Sequence, residues 1–109
     1  MSDNVYVTAQ FKAKPGQETA LVAVLEGLIP ATLKEAGCVQ YTLTKRLPSP
    51  YAEGESENIV FNEIWADNAS FEAHCEQPYI KEFFEKYCLA DDGLAQSWNV
   101  CAFTDELAS

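Results

Sequence analysis

Basic side chains are scarce in this chain: Arg46 is its lone arginine, and 7 basic against 17 acidic groups leave a net charge of −10 over 109 residues. Nucleic-acid affinity comes chiefly from lysine and arginine neutralising phosphates, so neither DNA nor RNA is an expected partner. Histidine is scarcer still, with His74 alone. Cys38, Cys75, Cys88 and Cys101 form no CxxC pair, and a single histidine does not complete a zinc set, so no metal site is expected. Glycine-rich phosphate loops are absent too. The longest unbroken apolar run, residues 20–25, is far short of the ~20 residues of a membrane span, and residues 1–6 carry neither a basic head nor an apolar stretch. No membrane partner is expected, and a cytoplasmic location is.

What remains is material for a core. At this length one domain over residues 1–109 is expected, burying about two-thirds of its unfolded surface. A content of 48% apolar and 12% aromatic residues can fill it, which argues against disorder. The cysteines read as reduced thiols in the core or a pocket wall. A reactive thiol needs a neighbouring cation, and only Cys75, next to His74, has one in sequence.

Period-two alternation over residues 5–11 sets Val5, Val7, Ala9 and Phe11 against Tyr6, Thr8 and Gln10 and predicts a first strand, closed by Lys14, Pro15 and Gly16. Over residues 17–36 the stripe Leu21, Val24, Leu25, Leu28, Thr32 and Ala36 predicts an amphipathic helix. Pro30 denies the Glu26 carbonyl a donor, so either a kink or a second short helix is expected there, with Gly37 as the stop. Residues 38–46, with Val39, Tyr41 and Leu43 on one face, and residues 58–66 read as the next strands. The proline- and glutamate-bearing stretch 47–57 reads as a long solvated hairpin loop. Asp67 predicts an N-cap for a helix through Gln77, Pro78 opens another running to about Cys88, Gly93 ends it, and residues 96–104 form the last strand. This order predicts an α+β ferredoxin-like sandwich, a four-stranded antiparallel sheet with helices on one face. Bulky residues at both parities, Tyr6 beside Val7 and Ile64 beside Trp65, make a homodimer through the open sheet face the simplest cover for the other side.

Three kinds of side chain carry candidate chemistry. His74 is the one group whose ordinary pKa lies near neutrality, and so the candidate base. Its alternative is a structural histidine bonded to a backbone carbonyl or to Glu63. Glu63 alternates with Phe61 and Trp65, so its carboxyl shares a face with large apolar groups. Burial would raise its pKa and suit it to acid–base work; pairing with His74, Lys45 or Arg46 would give it an orienting role. Trp65, Tyr41, Tyr79, Phe71, Phe83 and Phe84 offer an aromatic pocket for a planar ligand, with ordinary core the stronger reading for Phe83 and Phe84 and Trp65 and Tyr41 the better pocket candidates.

The segment Glu35-Ala36-Gly37-Cys38-Val39-Gln40-Tyr41, then Asn62-Glu63-Ile64-Trp65, then Ala69, Phe71 and His74, resembles the antibiotic biosynthesis monooxygenase family over nearly the whole chain. The resemblance implies a dimeric α+β barrel. It also implies one of several activities: cofactor-free oxygenation of aromatic polyketides and quinols, isomerisation of a phosphorylated sugar, or haem degradation. Tyr79 stands where many members have a second histidine, and Ala9 where haem-degrading members have an asparagine, so haem degradation is disfavoured. Asn62 and Trp65 carry over from polyketide-oxidising members as substrate-binding residues, although their opposite parity on one strand requires a bend, or a pocket that reaches around an edge, to bring them to one cavity. The leading expectation is a cofactor-independent monooxygenase of a small aromatic substrate, with His74 and Glu63 as catalytic residues. The alternatives are an isomerase of a small carbonyl or phosphosugar compound, served by Lys45, Arg46 and Lys81, and a non-catalytic small-molecule-binding dimer.

Overall fold

Alternating burial builds the sheet. In β1 (Val5–Ala13) Val5, Val7, Ala9 and Phe11 are buried while Tyr6, Thr8 and Gln10 are half-buried on the opposite face; β3 (Ile59–Trp65) repeats this with Ile59, Phe61, Glu63 and Trp65. The computed structural model describes residues 3–108; Met1 and Ser2, at the start of the stretch read for a leader, and Ser109 lie outside them. β1 and β3 run antiparallel with Val5 opposite Trp65, Val7 opposite Glu63 and Ala9 opposite Phe61, so the buried sets of the two strands share one face. β2 (Cys38–Lys45) flanks β3 and β4 (Ala95–Thr104) flanks β1, giving the antiparallel order β2-β3-β1-β4. This is the ferredoxin-like α+β fold predicted above.

The buried face of the sheet carries the helices. α1 (Glu18–Gly27) lays Leu21 and Leu25 on it, and the chain breaks at Leu28 before α2 (Ile29–Leu33), with Pro30 in the first turn. Of the two outcomes Pro30 allowed, the second short helix is the one found: a proline in the first turn forfeits no helical hydrogen bond. The apolar stripe ends at Thr32, which is fully buried, and Ala36 is exposed beyond α2, contrary to the expectation that it continues the stripe. Gly37 adopts a φ of +85° and turns the chain into β2.

Two further corrections concern β2 and the second helical region. A register shift between Cys38 and Gln40 turns Val39 outward, 58% exposed, so Tyr41 and Leu43 face the helices without it. α3 (Asn68–Cys75) ends short of Gln77, and α4 (Pro78–Phe83) passes directly into a π-helical turn, Phe84–Leu89. The Asp67 cap forms as predicted, its Oδ1 accepting the Ser70 N–H at 2.7 Å, and hydrogen bonding from the Ser70 side chain and then from its N–H holds the carboxyl below its usual pKa. Trp65, Phe61, Leu21, Leu25 and Ile59 form the centre of the core. The helices reach β4 less fully, leaving Trp98 and Val100 partly exposed on the helix side and Phe103 56% exposed on the other.

Candidate active site

The site is assembled where α3 crosses the sheet. Asp67 fixes where α3 begins, and Gly37 lets the helix come close: a β-carbon at Gly37 would lie 2.5 Å from the Ser70 Cβ. One turn further along α3, His74 is buried, with its ring centroid 4.6 Å from Trp65 and 5.5 Å from Tyr41, the latter edge-on at 66°. Tyr41 in turn stacks on Phe61 at 4.2 Å. Three aromatic rings from two strands thus support the imidazole.

Its polar partner is Glu35. Nδ1 of His74 lies 2.8 Å from Glu35 Oε2, with side chains only 6% and 10% exposed respectively. The same oxygen accepts the Tyr79 hydroxyl in a short hydrogen bond, and Tyr79 lies 3.1 Å from the hydroxyl of buried Thr32, which donates to the Leu28 carbonyl at 2.8 Å. Burial and the Glu35 hydrogen bond push the Tyr79 phenol up to about 12. The histidine therefore bonds neither to a backbone carbonyl nor to Glu63, as its structural alternative supposed. Neither Glu35 nor Thr32 is among the site residues expected from the sequence. Their signal was faint: a glutamate just before the Gly37 turn, and a threonine on an otherwise apolar helical stripe.

Glu63 is buried as its alternation predicts, but its partner is not a cation. Trp65 Nε1 donates to Glu63 Oε1 at 2.9 Å from the same face of the same strand. Burial dominates that single hydrogen bond and, with the Glu35 charge nearby, pushes the Glu63 carboxyl up to about 7. Tyr41 is driven far upward, first by burial and then by the Glu63 charge, so its phenol is a donor throughout the neutral range.

Beside this cluster lies an apolar cavity of about 70 Å³ between helices and sheet, bordered by Ala9, Phe61, Phe71, His74, Ile80 and Phe84, with Tyr41, Glu63 and Cys75 also in its wall. A ~150 Å³ apolar cavity accommodates benzene, so this one, as it stands, is smaller than an aromatic guest. Cys75 borders it with a thiol pushed up to about 11 by partial desolvation and surrounding carboxylates, the opposite of an activated nucleophile.

The remaining predicted site residues separate. Tyr41, Phe71, His74 and Glu63 meet at the cavity, whereas Trp65 is fully buried behind His74 and Tyr79 faces Glu35. Asn62 lies on the other sheet face, donating to Thr44 Oγ1 at 2.9 Å, because β3 keeps its period of two without the bend that would bring Asn62 and Trp65 together. The three cations considered for a phosphorylated substrate are also engaged elsewhere: Lys45 with Glu18 at 3.2 Å, Lys81 with Glu76 at 2.5 Å, and Arg46 with carbonyls of the 47–57 loop. Among the described residues no cluster of three or more His, Cys, Asp or Glu is placed to hold a metal ion, and no helix is long and apolar enough to cross a membrane.

A ferredoxin-like α+β chain with a buried histidine–carboxylate pair beside an apolar cavity defines the class. The family model described as antibiotic biosynthesis monooxygenase matches residues 4–86, and the chain belongs to that family. An uncharacterised Synechocystis protein, sll1783, is 29% identical over 84 residues, 77% of this chain, which spans about half (53%) of the length of that relative. Among solved structures, SO0527 of Shewanella oneidensis superposes with a TM-score of 0.76 at 30% identity, covering 94% of this chain and 91% of that one. PA3566 of Pseudomonas aeruginosa gives 0.74 at 26% identity, with 94% of each chain covered.

Proposed function

We propose that this chain is a cofactor-independent monooxygenase of a small phenol, hydroquinone or anthrone-like substrate, with His74 as the base. The observation that carries the reading is a buried imidazole at the wall of an apolar cavity, with its Nδ1 already occupied by Glu35. Ground-state dioxygen is a triplet and reacts slowly with closed-shell molecules, so without metal or flavin the substrate itself must become the reductant. Deprotonation achieves that. Nε2 of His74 takes a phenolic or activated C–H proton, the resulting anion passes one electron to dioxygen, and the two radicals recombine. For an anthrone-like CH₂ group the balance is one carbonyl formed and one water released per dioxygen. Glu63, with its carboxyl near neutrality, serves as the acid that returns a proton to the departing oxygen. Apolar walls exclude water, and Tyr41 and Phe71 hold the ring. Because the cavity is small, turnover of a ring requires it to widen on binding. Phe84, in its wall at the start of the π-helical turn, is the side chain best placed to move.

The protein acts, in this reading, as one cytoplasmic domain paired with a second copy through the open sheet face, where Ile64 is half-buried and Phe103 is 56% exposed. Oxygen uptake with a panel of hydroquinones and polyketide-like phenols tests the chemistry. Consumption that is lost in His74→Ala supports it, and no uptake with any member counts against it. Exchange of a carbon-bound proton for solvent deuterium without oxygen uptake would assign the carbonyl isomerase instead, and tight binding with neither outcome the binding module. Sedimentation as a monomer at working concentrations would remove the dimer.

A further inference from the structure

His74 is oriented by a hydrogen-bonded set of three other residues from two regions of the chain. Glu35 follows α2, Tyr79 belongs to α4, and Thr32 ends the buried stripe of α2. Thr32 donates its proton to the Leu28 carbonyl at 2.8 Å, and Tyr79 donates its own to the Glu35 carboxylate. Glu35 Oε2 therefore receives two donors, Tyr79 from one side and His74 Nδ1 at 2.8 Å from the other. An ionised carboxylate can only accept, so in this contact Nδ1 carries the ring proton and Nε2 keeps its lone pair. Among the described residues nothing hydrogen-bonds Nε2. The ring cannot simply swing to another partner, since Trp65 lies 4.6 Å from it and Tyr41 5.5 Å.

We propose that Glu35 is the positioning residue that sets the tautomer of His74 and leaves Nε2 as its basic nitrogen, and that the Tyr79 hydroxyl holds the Glu35 carboxylate in that pose. This inference rests on the reading of His74 as the base. Glu63, the carboxylate that the alternation along β3 singles out, does not take this part: its carboxyl accepts from Trp65 on the strand, while His74 Nδ1 pairs with Glu35. The division of labour assigns one carboxylate to the orientation of the base and the other to proton return. Fixing the tautomer matters for rate because a ring carrying its proton on Nε2 cannot accept another there.

The experiment exploits the single histidine. In protein labelled with ¹⁵N only at histidine, the two ring nitrogens give one pair of signals, and their shifts and proton couplings report the tautomer directly. At mildly alkaline pH the wild type is expected to show protonated Nδ1 and unprotonated Nε2. Glu35→Gln, close to isosteric, should move the population toward protonated Nε2, and Tyr79→Phe should move it part of the way, with backbone amide spectra confirming that both variants are folded. With a substrate found in the oxygen-uptake panel, Glu35→Gln should lower kcat by roughly tenfold or more while KM stays within about twofold. A wild-type ring protonated at Nε2, or a folded Glu35→Gln protein with an unchanged tautomer, would overturn the assignment. If the tautomer follows Glu35 and no panel member consumes oxygen, the positioning role stands and the oxygenase reading falls.

Discussion

Trp65 donates its indole N–H to Glu63 at 2.9 Å and places its ring 4.6 Å from His74, so one fully buried side chain touches both titratable members of the site. It does so from behind, since it is absent from the cavity wall. Substituting Trp65 therefore perturbs Glu63 and His74 together without opening a new ligand surface. That makes Glu63 the cleaner residue with which to probe the electrostatics of the site.

Glu63 should make the protein less stable as pH rises through neutrality. Its carboxyl titrates near 7 in the folded state against an ordinary 4.5, so between those values the folded state holds a proton that the unfolded state has lost. The contribution is full below about pH 4.5, declines with rising pH and is gone above about 7, a total on the order of 3 kcal/mol. Denaturant titrations of wild type and Glu63→Gln across this window should differ by that slope, the variant losing less stability on the alkaline side. Parallel pH profiles for the two proteins would contradict a buried carboxyl at this position.

Gly37 should resist substitution for two separable reasons. Its φ of +85° costs a residue with a β-carbon about 1–2 kcal/mol. The added atom would also press on the Ser70 side chain and push α3 from β2, against the hydrogen bond from the Ala66 N–H to the Gly37 carbonyl at 2.7 Å. Gly37→Ala is therefore expected to destabilise by more than the backbone cost alone and to shift the His74 signals. In a Ser70→Gly background the same change should cost only the backbone part. An equal cost in both backgrounds would mean that the helix is not held at this distance by the glycine.

The strands and helix starts were legible because each has a local physical cause. Alternation in residues 5–11 and 58–66 sorts side chains to two faces, Asp67 satisfies a free N–H, and Pro78 has none to lose. Contacts that depend on the path between elements were not legible. Where the Glu35 carboxyl points depends on the Gly37 turn, and Tyr79 reaches it only because α4 starts afresh at Pro78 after a break at Glu76 and Gln77. Val39 failed for the same reason: a one-residue register shift reverses a face, and nothing in the local composition announces it. Asn62 and Trp65 stand at opposite parity in the sequence, and the unbent strand keeps them on opposite faces.

The 47–57 loop is exposed yet tied down, at its end by Gln10, whose Oε1 accepts the Glu57 N–H at 3.2 Å, and along its middle by Arg46. Arg46 donates through Nη2 to the Ala52 carbonyl at 3.2 Å and to the Gly54 carbonyl, and through Nη1 to the Ser56 carbonyl at 3.5 Å. A planar fork can serve three carbonyls at once, which an ammonium group on a flexible stem does poorly. Arg46→Lys should therefore leave global stability within about 0.5 kcal/mol, as expected of a surface change, while the loop opens. Limited proteolysis within residues 47–57 and faster amide exchange there would register it. Unchanged cleavage would show that the paired prolines, Pro48 and Pro50, suffice to order the loop.

Ala9 is the smallest side chain in the cavity wall, lying between Val100 and Phe61 on neighbouring strands. Ala9→Val adds two methyl groups on the cavity side of β1, where β-branching suits a strand, so a folded protein is expected with a cost below about 3 kcal/mol. Xenon enters dry apolar cavities, which makes it a probe that needs no knowledge of the substrate. In wild type, xenon should perturb the methyl signals of Ala9 and Ile80, and in Ala9→Val the Ile80 shift should vanish while the His74 tautomer is retained. Substrate turnover in the same variant should fall with a raised KM, because the change removes room and leaves His74 as it was. Full turnover with an unresponsive cavity would place the substrate outside this space, on another part of the surface that the His74 ring can reach.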